Sequence, residues 1–151
     1  MNVELVRELL LSLPHVVEWT QWGDLIYSVG DKAIGGKMFA MVNADRASEL
    51  VISFRAGPER FAELVEREGI NPAPYFARIF WVSADRWDVL LNGEWEDELR
   101  AAHALQLAHL PPRTHKFLSL PKAELKRIVS ERRKLLATKA AAKKLAKGKQ
   151  A

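Results

Sequence analysis

Residues 25–55 read LIYSVGDKAIGGKMFAMVNADRASELVISFR, and this stretch decides the fold. Residues 25–29 are rich in β-favouring side chains, Gly30-Asp31 has the composition of a two-residue turn, and residues 32–34 return. Gly35-Gly36 permits a bend or bulge before a second strand over residues 37–43. Residues 44–47 supply a further turn, and residues 48–55 come back as the next strand. Alternation puts Met38, Ala40 and Val42 on one face and Lys37, Phe39 and Met41 on the other, so the second face is expected to be partly covered as well.

On either side the periodicity turns helical. Val3, Val6, Leu9, Leu10 and Leu13 fall at helical spacing over residues 2–13, with Asn2 placed to cap and Pro14 to stop. Gly57-Pro58 opens a second helix with Phe61, Leu64 and Val65 as its stripe, Glu63 and Arg67 one turn apart, and Gly69 at its end. Residues 71–74 read as a loop, 78–83 as an apolar strand and 85–90 as a connector. Residues 94–110 form a helix with Glu94, Glu96, Asp97 and Glu98 in its first turn, closed by Pro111-Pro112. A last helix starts near Pro121 with Leu125, Ile128, Val129, Leu135 and Leu136 on one side. Beyond about residue 137 the pattern gives way to Ala and Lys, and the helix is expected to fray. The expected architecture is α+β: an antiparallel sheet of about five strands packed with helices over residues 1–120, and a basic helical tail over 121–151.

Charge divides along the same line. Residues 122–151 hold eleven Lys/Arg and two acids, a net +9, whereas the first 121 residues hold 12 bases and 17 acids, a net −5. The overall pI of about 9.5 therefore describes the tail and not the body. The chain has no cysteine, which excludes disulfides, thiolate metal sites and a cysteine nucleophile. No apolar run approaches the ~20 residues a membrane span needs, and no secretory signal stands at the start, so a soluble, cytoplasmic protein is expected.

Several chemistries fail on spacing. Gly36-Lys37 invites a phosphate-loop reading, but Asp31 stands where the pattern needs its first glycine, and Met38 where it needs Ser or Thr. His103, His109 and His115 recur every six residues, whereas helical metal pairs want three or four, so they read as surface or half-buried side chains. The acids at 94–98 lack a calcium-loop spacing and read as helix-dipole partners. With no nucleophile-and-base set, metal set or cofactor loop, neither an enzyme nor a cofactor is expected.

Leu11-Ser12-Leu13-Pro14 is followed by Val17-Glu18, Trp22-Gly23 and Gly36-Lys37-Met38-Phe39-Ala40, then by residues 72–75 and Trp81-Val82. In this order the elements resemble the MmcQ/YjbR family over roughly residues 1–112. The resemblance implies a frataxin-like α+β domain, described as a double-wing motif, and a DNA-binding role, with DNA favoured over RNA. The chain departs from the family at His103-Ala104, where Ser-Tyr is frequent, and in the basic extension after Pro121.

The residues point to nucleic acid from two directions. Lys37, Arg55 and Arg78 sit at strand ends that can gather on one sheet edge, although charged edges also protect against strand pairing. Trp19 and Trp22 lie in the loop before the first strand and are expected to cap the core, with base stacking by Trp22 as the alternative. In the tail, Lys126, Arg127, Arg132, Arg133 and Lys134 are followed by Lys139, Lys143 and Lys144, an electrostatic footprint for phosphates. Part of that tail, 122–136, is equally suited to docking on the body through its apolar stripe, and a +9 segment could fold back on a −5 domain. The second functional reading is a protein-interaction or metal-binding module of frataxin-like shape, resting on the 94–98 acids.

Overall fold

The computed structural model describes residues 1–45 and 49–149. Among the described residues five α-helices pack with one six-stranded sheet. In chain order the elements are α1 (Val3–Ser12), β1 (Val16–Gln21), β2 (Asp24–Val29), β3 (Lys37–Asn43), β4 (Ile52–Arg55), α2 (Pro58–Leu64), β5 (Ile70–Pro72), β6 (Trp81–Ala84), α3 (Asn92–His109), α4 (Pro112–Leu118) and α5 (Lys122–Lys149). The sheet is antiparallel throughout, in the order β1-β2-β3-β4-β6-β5.

The strands expected over 25–29 and 37–43 are present, but the return expected over 32–34 is not. A strand missing from the sequence reading, β1, precedes them. Trp22 and Gly23, with φ of 56° and 79°, make the two-residue connector between Gln21 and Asp24. Positive φ at both central positions is the requirement of a twist-matched hairpin turn, normally met by Asn-Gly. A tryptophan in the first position hides that signal. Residues 32–34 do not return as a strand. They form a 3-10 turn, Lys32–Ile34, capped by the Asp31 carboxylate, which accepts from Ala33 N at 2.9 Å. The turn assigned to 44–47 and the start of the strand assigned to 48–55 reach into residues 46–48, outside the described residues; β4 itself begins at Ile52.

Alternation also misplaces Phe39. The β2–β3 register slips between Tyr27 and Ser28, so Tyr27 faces Ala40 while Ser28 faces Met38. Phe39 is the extra residue of that bulge. It turns into the core, fully buried and edge-on to His103 at 5.4 Å between ring centres. The core lies between α1, α3 and one sheet face, where Tyr27, Val29, Ala40, Val42, Phe54 and Val82 meet Val6, Leu10, Trp95 and Leu99. His103 is buried in it, and its Nε2 donates to the Pro14 carbonyl at 2.7 Å, tying α3 to the end of α1.

Further elements were invisible or blurred in the sequence. The 71–74 loop begins with the short strand β5. Arg78 starts no strand: it lies in a 3-10 turn, Ala77–Ile79, and β6 begins at Trp81. Pro111-Pro112 ends α3 and also starts α4, because Pro112 occupies a first-turn position where a missing N–H costs nothing. α4 seats against the 30–36 loop. Thr114 Oγ1 donates to Ile34 O at 2.7 Å, and a Cβ on Gly35 would stand 2.4 Å from Thr114 Oγ1. α5 runs without interruption past residue 137 to Lys149. Among the described residues no helix is long and apolar enough to cross a membrane.

Candidate functional site

The basic tail divides into a docked half and a free half. Leu125, Ile128, Val129 and Arg132 are half-buried where α5 lies beside the Lys32–Ile34 turn. Arg132 Nε donates to Ala33 O at 2.8 Å, and its guanidinium lies 5.7 Å from the centre of the Phe117 ring. Arg133 pairs with the carboxylate of Asp31, whose hydrogen bond holds the Arg133 proton more firmly than usual. Two of the expected phosphate contacts are thus contacts of the protein with itself. Arg127 pairs with Glu131 one turn on, at 3.0 Å, on the exposed side. Leu135 and Leu136, expected on the docked stripe, are about half exposed.

From residue 133 to residue 148 every residue of α5 is exposed. Lys134, Lys139, Lys143, Lys144 and Lys147 stand in this stretch, with no acid after Glu131. Lys139, Lys143 and Lys147 prolong the helical row begun by Arg132 and Leu136, because steps of three or four residues keep one face. The face that grips the body in the first half of α5 therefore turns cationic once the helix has passed it. Lys126 is exposed on the docked half.

On the body, the register puts the start of β3, the end of β4 and the approach to β6 at one end of the sheet. Lys37 and Arg78 are exposed there. Arg55 is not available in the same way: its Nη1 donates to Gln106 Oε1 at 2.9 Å, and Gln106 Nε2 donates to Met38 O at 2.7 Å. This chain of bonds clamps α3 onto β3 and β4. Nothing in the sequence signals that Arg55 is internal, since its partner lies 51 residues away.

The two tryptophans separate. Trp19 belongs to β1, and its indole N–H donates to Gln21 Oε1 at 3.1 Å. Trp22 stands 72% exposed on the hairpin turn, so it does not cap the core. The sequence reading missed its companion Tyr75, which is 97% exposed with a φ of 67°.

Three of the four acids at 94–98 are paired with arginines. Glu94 pairs with Arg67 and accepts from Leu91 N at 3.1 Å, which holds its carboxyl below the usual range. Glu98 pairs with Arg60 and Glu96 with Arg100. Arg67 thus reaches across to α3 and not to Glu63, which pairs with Arg60. Among the described residues no group of three or more His, Cys, Asp or Glu is arranged to hold a metal ion.

A six-stranded antiparallel sheet with α1 and α3 on one face and a C-terminal helix beyond it defines an α+β protein of known kind. The YjbR family model matches residues 11–105, and the chain belongs to that family. Its fold is similar to the crystal structure of Deinococcus radiodurans protein DR2400, which carries a DUF419 family domain. The two share a TM-score of 0.67 and 22% sequence identity, over 80% of this chain and 89% of the other. No curated protein matches the sequence.

Proposed function

We propose that this protein is a non-enzymatic nucleic-acid-binding protein, acting on DNA before RNA, that holds the phosphate backbone through the free half of α5. The observation that carries this reading is the exposure of Lys134, Lys139, Lys143, Lys144 and Lys147 on a helix whose docked half is fixed to the body by Arg132 and Arg133. A fixed helix presents its charges in register, with less ordering cost on binding than a loose tail. Twelve residues of helix from 137 to 148 span about 18 Å, enough to follow several phosphates. The stretch holds no Asn, Gln or Arg, so it is suited to backbone contact and not to base readout.

Lys126, Lys37 and Arg78 are the secondary contacts in this reading. Arg55, Arg132 and Arg133 hold the fold and leave the contact set. The DNA role implied by the family resemblance, including its double-wing description, supports the same reading. Glu94, Glu96 and Glu98, tied to Arg67, Arg100 and Arg60, offer little to the alternative of a metal-binding module.

The test is a mobility assay with labelled duplex DNA over a sodium chloride series. The full chain is compared with a variant carrying Lys134→Gln, Lys139→Gln, Lys143→Gln and Lys144→Gln, which keeps the arginine latch and good helix formers. Loss of binding in the variant supports the reading. Unchanged affinity removes the tail from it.

A further inference from the structure

The sheet face opposite α1 and α3 carries a groove that the proposed function does not use. It has a volume of about 440 Å³, within the range of small-ligand sites, and its wall is mainly apolar. Met41 and Ser53, paired across β3 and β4, line it, together with Asp24, Phe76 and the exposed rings of Trp22 and Tyr75.

Two observations set the chemistry of what fits. The first concerns Asp24. It is the sole carboxylate among the described lining residues, and no ion pair or side-chain hydrogen bond with a described residue engages it there. Burial pushes its pKa up, and among the described residues no cation pairs with it to offset the loss of water. A carboxylate in an apolar wall without a partner favours a cationic ligand and disfavours an anionic one.

The second concerns the aromatics. Trp22 and Tyr75 are both held at positive φ, a conformation that bulky L-residues rarely adopt. Tyr75 follows Pro74 in a turn closed by Phe76 N donating to Ala73 O at 3.3 Å, the position where glycine normally sits. Two strained turns that each present an exposed ring to the same groove are a costly arrangement for mere packing. Rings around a carboxylate are the chemistry that recognises ammonium groups.

We infer that this groove is a binding site for an organic cation, a quaternary or alkylated ammonium with an apolar body, held by Trp22, Tyr75 and Phe76 through their ring faces and by Asp24 through its charge. The site is independent of the nucleic-acid reading. Its groups come from the β1–β2 turn, the sheet face and the turn before β6, and none belongs to α5.

The test uses the full chain labelled with nitrogen-15, following the Trp22 indole N–H in NMR titrations. Choline and benzyltrimethylammonium are compared with the neutral analogues 3,3-dimethylbutan-1-ol and benzyl alcohol. The cations shift the Trp22 signal and bind about tenfold more tightly than their neutral counterparts. Asp24→Asn, which keeps size and hydrogen bonding, weakens the cations by a similar factor and leaves the neutral analogues unchanged. This comparison in the unaltered protein does not depend on any variant folding. Equal binding of cation and neutral analogue overturns the inference, as does an unaltered cation affinity in Asp24→Asn. It also fails if no cation binds at millimolar concentration. Preferential binding of adenosine or cytidine that survives Asp24→Asn makes the groove a base pocket and overturns it too.

Discussion

Arg133 on α5 pairs with Asp31 at the head of the Lys32–Ile34 turn, 102 residues away in sequence. One Asp31 oxygen takes the guanidinium while the other caps the turn by accepting from Ala33 N. A single carboxylate thus shapes the 30–36 loop and anchors the basic helix to it. Replacing Asp31 by alanine removes both roles and should cost about 1–3 kcal/mol in chemical denaturation. Arg133→Gln, which removes only the half-exposed pair, should cost about 1 kcal/mol or less. Both changes should speed amide hydrogen exchange in the first half of α5; unchanged exchange would show that the pair does not hold the helix.

A second network predicts the acid limb of stability. Arg7 donates to Glu18 at 2.9 and 3.0 Å, and the Tyr27 hydroxyl donates to it at 2.7 Å. The bond from Arg7 leads in holding the Glu18 carboxyl below its ordinary value of 4.5. A depressed folded value means the contribution is present above the unfolded pKa and is lost as pH falls below about 4.5 through the folded one. Glu18→Gln should lower stability at pH 7 and flatten the decline below pH 4.5, read from urea midpoints across pH. At the other end, burial raises the Tyr27 pKa above 10, so its contribution is complete below that value and lost as pH climbs past it. Tyr27→Phe should remove the alkaline loss.

Gly36 has no room for a side chain. A Cβ there would stand 2.0 Å from Gly30 O and 2.8 Å from Asp31 O, both backbone atoms. The neighbour cannot rotate away, so Gly36→Ala should destabilise by about 3 kcal/mol or more. The control is Gly93→Ala, where nothing lies within 4 Å; near-equal melting of the two variants would contradict the packing described.

Trp22 predicts a gain. Its left-handed backbone costs an L-residue about 1–2 kcal/mol, and asparagine tolerates that region best after glycine. Trp22→Asn should raise stability by about 0.5–1 kcal/mol while abolishing cation binding in the groove. A fall in stability would mean that the exposed ring contributes packing.

The free half of α5 predicts a salt law. If the five exposed lysines each neutralise one phosphate, log K should fall against log[salt] with a slope of about −4.5 on duplex DNA. The variant lacking four of them should show a slope near −1. A slope unaffected by the substitutions would place the contacts elsewhere on the protein.

The central strand pairing was legible because residues 40–43 of β3 keep the period of two, and the helices because Asn2, Pro58 and Glu94 carry ordinary helix-start chemistry. The misses share a cause. β1 is closed by Trp22-Gly23, a turn whose backbone needs were met against residue preference. α4 is hidden because Pro112 both stops one helix and starts another. Phe39 changes face at a bulge that only the partner strand defines.

The sequence by itself determined that the chain is an α+β domain with a charge-divided C-terminal helix, since composition and periodicity are local properties. Which cations are free was decided only in three dimensions. Arg55, Arg132 and Arg133 are absorbed by Gln106, Ala33 and Asp31, partners 51, 99 and 102 residues distant, while among the described residues no acid pairs with Lys134, Lys139, Lys143, Lys144 or Lys147. Charge can be counted along a chain; whether it is spent inside the protein depends on contacts between segments that no local pattern encodes.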